Sequence, residues 1–392
     1  MPSPYLAVFR TPGGRGMSAA GFLARLPLSM AGIALLLTVA DLTGSYAIAG
    51  AVDATWILAN AALAPALARL VDRRGQRRVV GPQLVVHLTG VAVVLVLAAE
   101  AAPLWTLFVA AAAAGAVLPV VGSLVRARWA YLLGGSPVLR TAYSWESVVD
   151  EMVFVLGPVL VTFVAATLGP PEALALTALI GATGAVALLA QRGSEPPPAE
   201  PSATAVASAL RLRGMPALVA VMALLGVVFA GVEVTVIATA RESGRTAIAG
   251  VVLAVWSVSS MLMGLWLGSR SEHFQLRRQM LVGAVALAVS LAPLLLVHDL
   301  GQASVVLLFG GAAVSPTLIA GFSLVEAQVP LPRLTEALTW VTVGISVGFA
   351  LGSPGSGWLV DHVSPQAGFW VAFLAALATV LVVAGSYRAL ED

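Results

Sequence analysis

The chain has 392 residues, of which 59% are hydrophobic and only 10% charged, with a mean hydropathy of +0.96. A soluble domain carries about 25% charged residues, so an ordinary water-facing surface is excluded. The lack of cysteine excludes a disulfide framework, a thiolate zinc site and a thiol nucleophile, and the basic side of the +2 formal charge is arginine alone, with no lysine.

A bilayer-crossing helix needs about 20 mostly apolar residues. Apolar runs between charged or Pro/Gly-containing breaks predict twelve, near 22–42, 45–68, 79–99, 103–126, 144–167, 172–191, 215–240, 247–269, 279–298, 302–326, 336–360 and 366–386. The expected fold class is an all-α membrane protein with twelve transmembrane helices. Residues 1–20 hold Arg10, Arg15 and several glycines rather than the compact apolar core of a cleavable leader. The first span is therefore the expected insertion signal. Cytoplasmic loops retain positive charge. With the N-terminus inside, 19 of the 21 basic residues fall on that side and only Arg241 and Arg245 outside, so both termini are expected in the cytoplasm. With the arginines used this way, no nucleic-acid partner is expected. The arginine-only, Ala/Gly/Val-rich composition suits the plasma membrane of a bacterium with a GC-rich genome.

The longest interruption, 192–214, divides the spans six and six, into an expected N-terminal bundle (1–191) and C-terminal bundle (215–392). Its run Ser194-Glu195-Pro196-Pro197-Pro198-Ala199-Glu200-Pro201 predicts an extended, semi-rigid linker. Residues 202–213 predict a short amphipathic helix on the inner surface. The halves resemble each other: Ala142-Tyr143-Ser144-Trp145 has a counterpart in Ala337-Leu338-Thr339-Trp340, and at the same offset Val148 matches Val343, Phe154 matches Phe349 and Gly157 matches Gly352. Two six-helix pseudo-repeats in the same orientation are the parallel repeat of transporters whose site lies between the halves.

The loop between the second and third spans reads Ala68-Arg69-Leu70-Val71-Asp72-Arg73-Arg74-Gly75-Gln76-Arg77-Arg78. It resembles the signature loop of the major facilitator superfamily at Leu70, Asp72, Arg73, Gly75 and Arg77, with Ala68 and Gln76 as departures. Physically, Gly75 permits a turn, and Asp72 can pair with a base or cap a helix N-terminus. The resemblance implies a conformational latch, with Arg126 or Arg128 as the partner of Asp72. The second half has Gly264, but Gly268 where the acid would be, which predicts a one-sided latch. Leu156-Gly157-Pro158 resembles the centre of the antiporter motif of drug–proton exchangers, although Val153 and Val161-Thr162 replace its flanking glycines. The glycines at 344, 348, 352, 355 and 357 serve either close helix packing or a hinge.

Ionisable residues inside membrane helices are costly and mark function. Glu233 and Asp53 lie roughly 10 Å inside the outer ends of their helices. A carboxylate taken out of water gains from protonation, so these two are the expected proton-coupling or substrate residues. Glu146, Asp150 and Glu151 form a candidate inner gate or a structural ion network with Arg126 and Arg128. Arg25 is expected to snorkel, and His87 to be packed. The expected cavity lining is Trp56, Asn60, Phe229, Trp256 and Trp340. There is one asparagine, the eight glutamines lie mostly near span ends, and no arginine lies deep. Such an interior suits a hydrophobic or cationic amphiphile better than a polyol or an anion.

These residues and the resemblance together imply a proton-coupled secondary transporter, expected to export a small hydrophobic or amphipathic compound. A proton-coupled uptake symporter for a metabolite is the alternative. The four histidines are scattered and no ATP-binding loop is present. Neither an enzyme nor a cofactor is therefore expected. The proton gradient is the energy source, and lipid and a small molecule are the partners of a monomer.

Overall fold

The computed structural model describes residues 4–43, 46–100, 102–198, 208–242, 246–269, 275–297, 299–364 and 366–390. Among them the fold is all-helical. The first half holds α1 (Pro4–Arg10), α2 (Gly14–Arg25), α3 (Pro27–Thr43), α4 (Tyr46–Arg74), α5 (Gln76–Ala99), α6 (Leu104–Ala116), α7 (Val121–Leu133), α8 (Val138–Thr167) and α9 (Pro170–Ala190). The second holds α10 (Met215–Glu242), α11 (Thr246–Ser269), α12 (Leu276–Leu291), α13 (Leu300–Gln328), α14 (Leu334–His362) and α15 (Phe369–Gly385). Among the described residues eleven helical segments are long and apolar enough to cross a membrane. The twelfth predicted span is the apolar 17-residue α15.

The expected boundaries shift for local reasons. The first span starts at Gly14, not near 22, and is split into α2 and α3 at Pro27, whose missing N–H interrupts the helical ladder. The fourth span is split into α6 and α7. Backbone freed inside a membrane must find partners within the protein, and the sole asparagine supplies them. The Nδ2 of Asn60 donates to the Gly115 and Leu118 carbonyls, both at 2.9 Å. In the linker, residues 199–207 lie outside the described residues. Of the expected amphipathic helix, 202–213, the described part includes the 3-10 turn Ala209–Arg211.

Within the first half, α2 and α3 pack on α9, and α6 packs on α4 and α5; within the second, α10 packs on α14 and α15, and α13 on α11 and α12. The glycine stripe of α14 serves this packing. A Cβ at Gly348 would run into the Ala223 backbone of α10, and Gly344 and Gly352 meet α10 in the same way. Gly157 of α8 makes room for Ser29 of α3, whose hydroxyl donates to the Val153 carbonyl at 2.8 Å. The two halves meet mainly along two helix pairs, α4 with α14 and α8 with α11.

Helix contacts also correct the register of the repeat. Trp56 of α4 covers Gly115 of α6, and Trp256 of α11 covers Gly311 of α13 in the same manner. This pairing sets an offset of 200, not 196, between α4 and α11. Gly268 therefore corresponds to Ala68, and the place of Asp72 falls to Glu272, which lies outside the described residues. The expected one-sided latch, placed at Gly268, therefore concerns a position outside the described residues.

Candidate functional site

The arginine-rich end is closed at both seams. At α4/α14, Gly75 has φ +89°, a backbone conformation that glycine adopts without steric cost, and it turns the chain from α4 into α5. Asp72, on the last turn of α4, reaches the other half. Its carboxylate accepts from the backbone N–H groups of Thr335 at 3.2 Å and Glu336 at 2.9 Å. These are free donors in the first turn of α14, where the helix dipole favours negative charge. Asp72 is thus a helix cap, and the expected partnership with Arg126 or Arg128 is not formed. Arg128 is buried and donates to Gln76 Oε1 (2.6 Å), the Gln191 carbonyl (2.9 Å) and Ser194 Oγ (2.7 Å). Arg73 and Arg77 are exposed, and the Arg77 backbone N–H donates to Glu195 Oε1 at 3.0 Å.

A second tie lies beside this cap. Arg69 Nη2 donates to Glu336 Oε1 at 2.8 Å. The same oxygen accepts from Ser208 Oγ (2.6 Å) and the Ala209 N–H (3.1 Å) of the linker, and Trp340 Nε1 lies 3.4 Å away. Trp340, expected to line the cavity, is half-buried one helical turn above this cluster. Sequence analysis missed Arg69, Ser208 and Glu336, although an acid opening the eleventh span was a readable signal for a helix start.

At α8/α11, closure comes from small residues. Thr141 Oγ1 donates to the Gly268 carbonyl at 3.0 Å. A Cβ at Gly268 would collide with Ser144 of α8, and one at Gly264 would touch Val148. Arg140 also bonds Gln279 of α12 across this seam.

Above it lies a buried ion network. Arg25 pairs with Glu146 and, at 2.8 Å, with Asp150; Arg126 pairs with Asp150 at 2.6 Å; and Trp129 Nε1 donates to Glu146 Oε1 at 2.8 Å. Burying charge is costly unless each ion is paired and hydrogen-bonded, and here two bases meet two acids. Arg25 is therefore a buried ion-pair partner, 3% exposed, and does not snorkel. All four charges come from α2, α7 and α8, so the network binds one half together. From the other half the Phe322 ring reaches it, 3.9 Å from the Arg126 guanidinium carbon. Glu151 points elsewhere, toward Ser257 and Ser260 of α11.

Toward the opposite end, Asp53 sits on α4 about 28 Å along the helix from Asp72. Its carboxylate lies over Gly32 of α3, and Oδ1 is buried with no hydrogen-bond partner. Trp56, one turn on, is 4% exposed and stands edge-on to His87, 5.5 Å away, which is itself tied to the Ala114 carbonyl at 2.9 Å. Trp56 and Asn60 thus pack α4 on its neighbours, contrary to their expected place on a cavity wall. In the second half, Glu233 is half-buried on α10 and makes no hydrogen bond among the described residues. One turn before it, Phe229 stands edge-on to Trp256 of α11 at 5.6 Å. The structure places Glu233 one helical turn from the Phe229–Trp256 pair, and Asp53 against α3 in the first half.

A profile described as Major Facilitator Superfamily matches residues 17–309 and again 234–391. No curated protein matches the sequence at a significant level. Solved structures match over nearly the full length at low identity. The human organic anion transporter MFSD10 (TETRAN) is 15% identical, with 94% of this chain and 99% of that chain covered and a TM-score of 0.71. The proton:xylose symporter XylE is 12% identical, with 93% and 94% covered and a TM-score of 0.73. FucP in the outward conformation is 14% identical, with 97% and 99% covered and a TM-score of 0.72.

Proposed function

The chain belongs to the Major Facilitator Superfamily, and from that premise we propose that it exports a small hydrophobic or amphipathic compound in exchange for protons. The halves 1–191 and 215–392 rock against each other about a site between them. The arginine-rich end and both termini face the cytoplasm of a bacterial cell, as the charge bias requires. The closed seams at that end make the present state one shut toward the cytoplasm.

The observation that carries this reading is a pair of unpartnered acids within otherwise apolar spans: Asp53, with a buried oxygen lacking any partner, and Glu233 beside Phe229 and Trp256. Among the described residues the buried arginines, Arg25, Arg126 and Arg128, are held by the ion network and the linker. A membrane carboxylate without a cation is free to take up and release a proton, and the half-buried Phe229 ring favours a lipophilic or cationic cargo, with the buried Trp256 packed behind it on Gly311.

The test uses proteoliposomes holding a pH dye and an acidic lumen, challenged with lipophilic cations, neutral antibiotics, sugars and amino acids. Lipophilic compounds are expected to release protons from the lumen, and Glu233→Gln is expected to abolish the signal. Proton entry alongside a sugar or amino acid marks symport and overturns export.

A further inference from the structure

We propose that α1, the seven-residue helix before the first span, is a clasp that holds the α8/α11 seam shut. This rests on the rocking of the two halves proposed above. The helix is anchored to the first half at three points. Val8 is fully buried; the Phe9 ring meets Trp145 of α8 edge-on at 4.9 Å; and Arg15 Nε returns to the Phe9 carbonyl at 3.1 Å. Behind it, Gly14 leaves room for the Trp129 ring, which seats the start of α2 on α7.

From that anchorage Tyr5 crosses to the second half. Its hydroxyl donates to the Leu265 carbonyl of α11 at 2.7 Å and lies 3.4 Å from the Gly264 carbonyl. The phenol fills a notch left by Gly268, where a Cβ would collide with the Tyr5 hydroxyl as well as with Ser144. The notch therefore accepts Tyr5 and the α8 backbone together. When the halves rock to open this end, α11 moves away from α8. Because α1 travels with α8, the Tyr5 bond and the ring contact must break in that motion. The clasp thus weights the equilibrium toward the state shut at the arginine-rich end, and its release is part of the opening step.

The cysteine-free sequence provides the test. Two single reporters are placed in nanodisc-embedded protein, Ser144→Cys at the α8/α11 seam and Thr339→Cys at the α4/α14 seam. Both positions are buried in this state, and maleimide labelling reports opening. Tyr5→Phe keeps the ring and removes one hydrogen bond, so labelling of the Ser144→Cys reporter is expected to rise about two- to tenfold. Removing residues 1–10 is expected to raise it further. Asp72→Asn serves as the control that opens the same end through the other seam. If Asp72→Asn accelerates labelling while Tyr5→Phe and the truncation leave it at the wild-type rate, the clasp is overturned and the rocking mechanism stands. If none of the three accelerates either reporter, both fall. Should the truncation fail to insert, Tyr5→Phe decides alone.

Discussion

The two seams that close the arginine-rich end differ in chemistry although they occupy corresponding places in the two halves. The α4/α14 seam is polar and charged, built from Asp72 on the first-turn amides of α14 and from Arg69 on Glu336. The α8/α11 seam is built mainly from glycines, hydroxyls and a phenol, Gly264, Gly268, Thr141, Ser144 and Tyr5, with Arg140 on Gln279 of α12 as its one charged contact among the described residues. Both seams lie at this end, and deeper in the spans Glu151 of α8 also reaches Ser257 and Ser260 of α11. The contrast separates two ways to hold a rocking joint. Charge on a helix end acts over several ångströms and weakens with salt, whereas close backbone packing acts only on contact and is indifferent to salt.

The harshest way to break the packed seam is to fill it. Gly268→Leu forces α11 off α8, and overpacking of about 1–3 kcal/mol corresponds to a roughly 5- to 150-fold shift toward opening. Faster maleimide labelling at Ser144→Cys is the expected readout. The Thr339→Cys reporter sharpens the comparison: it accelerates in parallel if each half moves as a rigid body, and stays slow if the seams open independently.

At the charged seam, Asp72→Asn leaves an acceptor for one amide but removes the charge that the α14 dipole favours. A loss of about 1–2 kcal/mol gives a roughly 5- to 30-fold faster labelling of Thr339→Cys. Raising the salt concentration should shrink the gap between mutant and wild type. A gap that is the same at low and high salt would mean that Asp72 acts through hydrogen-bond geometry alone.

The helical architecture was legible in hydropathy because a membrane helix must be apolar over its whole length. The acids Asp53 and Glu233 stood out for the same reason, as exceptions in apolar runs, and Asp72 stood out through the signature loop. What stayed hidden was partnership. Asp72 was readable as a helix cap or as the partner of a base, but that it caps α14 in the other half is not announced by any residue pattern. Arg25 and Glu146 are 121 positions apart and meet only once α2 packs near α8. Asn60 looked like a cavity residue because its role depends on the break between α6 and α7. The repeat register was misread by four positions, although Trp56 with Trp256 and Arg77-Arg78 with Arg277-Arg278 already stand 200 apart.

The smallest expected effect belongs to Arg69, and its size tests how the charged seam divides its work. The Arg69 side chain is 32% exposed while Glu336 is 1% exposed. Partly exposed ion pairs contribute about 0–1 kcal/mol, because water already solvates one partner. Arg69→Gln leaves Glu336 accepting from Ser208 and the Ala209 N–H, so the carboxylate is not orphaned, and Gln can still donate one hydrogen bond. Labelling of Thr339→Cys is therefore expected to rise at most about fivefold, less than with Asp72→Asn. A larger effect from Arg69→Gln would reverse that order. It would assign the closing force to the ion pair and its linker contacts, and leave Asp72 to orient the first turn of α14.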